Sequence, residues 1–245
     1  MPMTITATGS APAVIGVELK RTARIAGLFY LGLALTGLLG SMIVRAELFA
    51  DGDPQETLSN LTEHQSLARI GIALEMGIAL TQALAAVWFY RLFRGVDTFA
   101  AGSLAAFGMV NSIAILGSAA ALATALDAAD DTSLAGADPA ATVQLLYVAS
   151  EHLWGVAGMF FGLWLLPMGW LVVRSRWLPK PLGWILVAGG VGYLVSAFAS
   201  YLFADADLIS ELLLIPSTIG ELWIIGYLII VGVSLPALAP GDVAN

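Results

Sequence analysis

The 245-residue chain is 59% apolar and 11% charged, with a mean hydropathy of +0.87. An average soluble domain carries about 25% charged residues, so an ordinary water-soluble globule is excluded. A net charge of −8 argues against a nucleic-acid surface, and the absence of cysteine excludes disulfides, thiolate metal sites and a cysteine nucleophile.

Residues 1–20 open with MPMTITATGSAPAVIGVEL, which has no sustained periodicity and reads as a mobile cytoplasmic tail. Lys20, Arg21 and Arg24 then lead into a first apolar span at about 25–44. It is too long for a signal-peptide core and lacks a small-residue cleavage site, so it reads as a retained anchor. An acidic loop follows, and further spans are expected at about 70–90, 98–126, 141–173, 182–204 and 209–235, before a short tail at 237–245. Each is long enough to cross the roughly 30 Å hydrocarbon core, and in lipid an uninterrupted run satisfies its backbone only as a helix. The expected fold is therefore all-α and polytopic, a single six-helix transmembrane domain over 21–236. The loop Asp127–Pro139 is acidic but lacks EF-hand spacing and reads as solvated.

Basic residues set the expected orientation. Lys20, Arg21, Arg24, Arg91, Arg94, Arg174, Arg176 and Lys180 share one side, whereas the other holds only Arg45 and Arg69 among many acids. The positive-inside rule puts both termini in the cytoplasm. Trp88, Phe89, Tyr90, Trp170, Trp177 and Trp184 cluster at the same inner boundary, where amphipathic rings prefer to sit.

The stretches RTARIAGLFYLGLAL, ARIGIALEMGIALTQALAAVWFYRLFR, HLWGVAGMFFGLWLLPMGWLVVRSRWLPKPLGWILVAGGVGYLV and LLLIPSTIGELWIIGYL resemble the domain of unknown function 4386 family over most of residues 20–235. The most specific part is the histidine-led fourth span with its basic Leu178-Pro179 turn and glycine-rich successor. The resemblance implies a multi-pass protein of a bacterial plasma (inner) membrane, and it implies no reaction. A fainter internal likeness links LFADGD at Leu48–Asp53 with LFADAD at Leu202–Asp207, each ahead of a span bearing an acid. Related hairpins about an axis along the membrane normal are one reading of it, and chance similarity is another.

Ionisable groups inside spans cost about 2.5–3.5 kcal/mol each on insertion scales and are functional candidates by default. They are Glu75, Glu151, His152, Glu211 and Glu221, of which Glu211 falls at the outer interface. Glu75, Gln82, Asn111, Glu151, His152, Tyr193 and Glu221 are the candidate lining of an outward-opening cavity that responds to a ligand or proton. Glu151 shares a helical stripe with Gly155, Gly158 and Gly162, so it is expected to face a packed neighbour through a GxxxG seam. Glu75, Glu151, His152 and Glu221 form a weak metal set, because neither HExxH nor paired-histidine spacing occurs. No cofactor is expected; His64 lies in a loop, which argues against bis-histidine haem.

Three functions fit these residues. The first is binding or transport of a small molecule or ion. The second is a structural or assembly subunit, with oligomer contacts through the glycine-rich faces that include Gly183, Gly189, Gly190 and Gly192. The third is an intramembrane metal-dependent hydrolase. The bilayer is a partner in all three.

Overall fold

The structure is a computed structural model that describes residues 11–203, 205 and 207–234. Helix α1 covers Ala11–Leu39 and continues through a π-helical stretch, Gly40–Arg45, into a short turn α2 at Ala46–Leu48. The helices that follow are α3 (Pro54–Glu63), α4 (Gln65–Phe93), α5 (Thr98–Asp130), α6 (Thr132–Ala135), α7 (Pro139–Ser175), α8 (Lys180–Leu202) and α9 (Asp207–Ile230). Among the described residues, six helical segments are long and apolar enough to cross a membrane: α1 with its extension, α4, α5, α7, α8 and α9. The protein is an all-α, multi-pass membrane protein.

The ends are set by local chemistry. Asp97 and Asp138 cap α5 and α7 by accepting from the backbone N–H of Ala100 and Ala141, both at 3.1 Å. Pro139 follows as the first helical residue, where its missing N–H removes nothing. Helix α7 stops where Arg176 turns left-handed at φ 57°, and Gly232 takes φ 79° just beyond α9.

Several boundaries differ from the sequence reading. Residues 11–20, expected in the tail, belong to α1; residues 1–10 and the tail 237–245 lie outside the described residues. The sixth span was expected to reach 235, yet α9 ends at Ile230, with the left-handed Gly232 two residues beyond. The first acidic loop contains a helix, α3. Asp53 accepts from Glu56 N–H at 3.0 Å, Pro54 takes the first helical position, and Thr57 and Leu61 are buried. That helix also separates the two halves of the faint repeat. LFADGD leads into ten-residue α3, whereas LFADAD runs into the spanning helix α9.

Each spanning helix packs against its neighbours in sequence, and α9 closes back on α1, giving a ring ordered α1–α4–α5–α7–α8–α9. Six spans that cross in alternate directions make every neighbour in the ring antiparallel, the closing α9–α1 pair included. Inside the ring, Tyr30, Phe89 and Trp164 meet edge to face, with centroids 5.5–5.9 Å apart. A second core at the acidic end joins Val44, Leu48, Leu61, Leu126 and Tyr147. The outside bears Leu28, Leu80, Ile113 and Ile219, each more than half exposed, which suits lipid and would be anomalous in water.

The α7–α8 seam depends on reciprocal glycines. A Cβ on Gly162 would meet the Gly190 carbonyl at 2.7 Å, and one on Gly190 would meet the Gly162 carbonyl at 2.9 Å. Gly169 and Gly183 repeat the arrangement one heptad further on. These faces are occupied within the chain. Gly158 is not part of the seam, since a Cβ there meets nothing within 4 Å.

Candidate functional site

Between the two cores, near the acidic end, the bundle holds a partly open cavity of about 430 Å³. Gly37, Gly40, Ser41, Val44 and Arg45 line it from the first span, Gly71, Ile72, Glu75 and Ile78 from α4, Leu122 from α5, and Tyr147, Glu151 and Trp154 from α7. Small residues make the space: a Cβ at Gly37 would find no atom within 4 Å. The π-helical stretch Gly40–Arg45 turns through fewer degrees per residue than an α-helix, which brings Arg45 back toward the face of Gly37.

Two kinds of charge face this space. Arg45 is heavily engaged. It donates to the Tyr147 carbonyl at 3.2 Å, to Ser150 Oγ at 3.4 Å and to Glu151 Oε2 at 3.3 Å, and it lies over the rings of Phe49 and Tyr147. Glu75 is less satisfied. One donor, Trp154 Nε1–H, is shared between its two oxygens at 3.0 and 3.2 Å. A carboxylate offers about four acceptor positions, so this group can still receive hydrogen bonds from a ligand.

The expected lining separates into three places. Glu75 and Glu151 share the cavity. Glu151 sits at its rim with a side chain 61% exposed, bridged to Arg45 on the first span, while Gly155 on the same stripe packs against Tyr201 of α8. The single packed seam expected for that stripe is thus two different neighbours. His152 points away from the cavity toward α8, where Nδ1 lies 3.2 Å from the Tyr201 hydroxyl.

Gln82, Asn111, Tyr193 and Glu221 do not line the cavity; they lie deeper. Gln82 and Asn111 are fully buried, and neither amide makes a hydrogen bond to the described residues. Tyr30 Oη, Trp164 Nε1 and Glu221 Oε1 are buried and unpartnered in the same way. Each such group costs about 1–3 kcal/mol when left unsatisfied, so this grouping requires a physical reason. Tyr193 stacks on Phe161, which stacks on Trp154, with centroids 5.6 and 6.3 Å apart. An aromatic column thus runs from the Glu75 cavity to the neighbourhood of Glu221.

The metal set does not converge. Glu75 and Glu151 are in the cavity, His152 is on another face and Glu221 is beneath, and the described residues contain no group of three His, Asp or Glu placed to hold an ion. The acidic loop is likewise committed to structure: Asp130 accepts from Gln65 at 2.8 Å, while Asp131 and Asp138 cap helices. Residues that sequence reasoning missed are Arg45, Tyr147, Trp154, Tyr30 and Trp164. Arg45 had a signal, since a basic residue at the end of an apolar span on the acid-rich side needs an acidic or aromatic partner.

No curated protein and no solved structure matches this chain. The family model described as "Domain of unknown function (DUF4386)" matches residues 25–232, most of the chain, and the protein belongs to that family.

Proposed function

We propose that the protein binds small organic cations, protonated amines with an apolar body, as the recognition step of transport across a bacterial inner membrane. The observation that carries this reading is the Glu75 carboxylate, supplied by one shared donor and facing a cavity of about 430 Å³ with mostly apolar walls. A ligand ammonium would complete its acceptor positions, while Ile72, Ile78, Leu122 and the Trp154 ring would receive the apolar part. The guanidinium of Arg45 is neutralised by Glu151, so it opposes a cation only weakly. The bundle end with Lys20, Arg21, Arg91, Arg94 and Arg174 is the cytoplasmic one by the positive-inside rule, and the cavity then opens outward.

The test is thermal stabilisation of purified protein by a panel of alkyl- and arylammonium ions, with isosteric alcohols and carboxylates as controls. Ammonium compounds should stabilise the wild type, and both Glu75→Gln and the cavity-filling Gly37→Leu should abolish the effect. A panel without effect on folded wild type, or stabilisation that survives in both variants, overturns the reading.

A further inference from the structure

Beneath the cavity lies a layer of polar side chains that the proposed ligand does not use. Tyr30 comes from α1, Gln82 from α4, Asn111 from α5, Trp164 from α7 and Glu221 from α9, and Tyr193 of α8 faces Glu221. All six spanning helices contribute.

The packing register places them together. The Tyr30 and Trp164 rings are 5.9 Å apart, and the Tyr30 hydroxyl faces both the Trp164 indole nitrogen and the Glu221 carboxyl without reaching hydrogen-bond geometry. Ser112 Oγ donates to the Ala79 carbonyl at 2.6 Å, and a Cβ on Gly108 would touch both Ala86 and Trp164. Those two contacts bracket Gln82 and Asn111 at one depth on the α4–α5 seam. They also set Asn111 three residues, about one helical turn, from the contact with Trp164.

We infer that this layer is a hydrated chamber in which Glu221 takes up and releases a proton. The donor inventory selects water over a bare cation. The Trp164 N–H, the two amide NH₂ groups and the Tyr30 hydroxyl donate, while the amide oxygens, the phenol and Glu221 accept. A metal ion would satisfy only the acceptors; water satisfies both sets. Glu221 is the chamber's ionisable carboxyl. The titratable groups facing it are the phenols Tyr30 on α1 and Tyr193 on α8, and among the described residues no arginine, lysine or histidine forms an ion pair with it. On release, the carboxyl O–H breaks and its proton passes to an adjacent water, leaving carboxylate; uptake is the reverse. The chamber does not depend on the amine reading, because Gln82 lies seven residues, about 10 Å along α4, from Glu75.

The experiment is infrared difference spectroscopy of the ligand-free protein in lipid, stepped between acidic and alkaline buffer and exchanged into D₂O. The expected result is a carboxyl C=O band that titrates, shifts in D₂O, disappears in Glu221→Gln and persists in Glu75→Gln. Gln82→Leu and Asn111→Leu should slow the D₂O shift by about tenfold or more. If Glu221→Gln does not fold, Glu221→Asp should displace the same band in wild-type surroundings. A Glu221 band that ignores D₂O, its absence at every pH, or unchanged exchange in both leucine variants overturns the inference. None of these outcomes depends on an amine binding at Glu75.

Discussion

Trp154 on α7 and Glu75 on α4, 79 positions apart in sequence, are joined by one indole N–H that both carboxylate oxygens share at 3.0 and 3.2 Å. This bond fixes the depth of α7 against α4 across the cavity, and it also gives a half-buried acid its hydrogen bond. Trp154→Phe keeps the stack on Phe161 and removes only the donor. It should destabilise the protein by about 1.5–3 kcal/mol, the range for hydrogen bonds to charged groups. Glu75→Gln should add little in that background. A double-mutant cycle on denaturant unfolding in mild detergent measures the coupling, and additivity of the two changes would mean that the bond contributes nothing.

Arg45 and Glu151 form the cavity's ion pair, yet the two residues should not be equivalent. The Glu151 side chain is 61% exposed, so Glu151→Gln should change stability by less than about 1 kcal/mol and less still in high salt. The Arg45 side chain is 25% exposed and also holds the Tyr147 carbonyl, Ser150 Oγ and two aromatic rings. Arg45→Met should therefore cost about 2 kcal/mol with little salt dependence. Unfolding midpoints at low and high ionic strength distinguish them. Equal losses in the two variants would reduce the arginine to its ion pair.

The glycine seam gives a prediction whose sign depends on position. At Gly169 a Cβ would run into the Gly183 carbonyl and the Val187 backbone, neither of which is free to rotate away. Gly169→Ala should destabilise by about 1–3 kcal/mol, as overpacking does. Gly158 belongs to the GxxxG pattern but faces open space, so Gly158→Ala should be neutral or gain up to about 1 kcal/mol from helix propensity. Thermal midpoints of the two variants side by side check it. A loss at Gly158 would show that the face is covered by something other than this chain.

That contrast shows what the sequence can disclose. The spans were legible because lipid imposes length and continuity on each run separately. Helix α3 reads as part of an acidic loop, although Asp53-Pro54-Gln55-Glu56 holds a capping acid, a first-turn proline and a glutamate in helix-start order. The site was legible only as a set of residues. Glu75, Gln82, Asn111 and Glu221 can be picked out as polar groups in apolar runs, but their division into a cavity and a deeper layer depends on how neighbouring helices register. That register is set by close contacts such as Gly108 on Trp164 and Gly162 on Gly190, which no single-helix periodicity contains. Arg45 falls outside the first span because that span is drawn as an uncharged run, whereas the helix continues through it as a π-helical stretch.

The deeper layer gives the last prediction, and its sign runs against the usual rule for core substitutions. Gln82 and Asn111 are fully buried and their amides make no hydrogen bond to the described residues. Gln82→Leu keeps roughly the same volume and removes two polar atoms from an apolar bundle. Replacing an amide that has no protein partner, and that only ordered chamber water can satisfy, by an apolar side chain of similar shape is neutral to stabilising, here by up to about 2 kcal/mol, because the immobilised water is released. Gln82→Ala removes the same polar atoms but leaves a void, which should cost about 2–3 kcal/mol. The two variants therefore separate polarity from packing at one position. If Gln82→Leu and Gln82→Ala both destabilise to the same extent, the amide's hydrogen bonds contribute more to the fold than exchangeable chamber water would. A gain with Leu and a loss with Ala would show that this polar group lowers stability, the pattern of a residue kept for function.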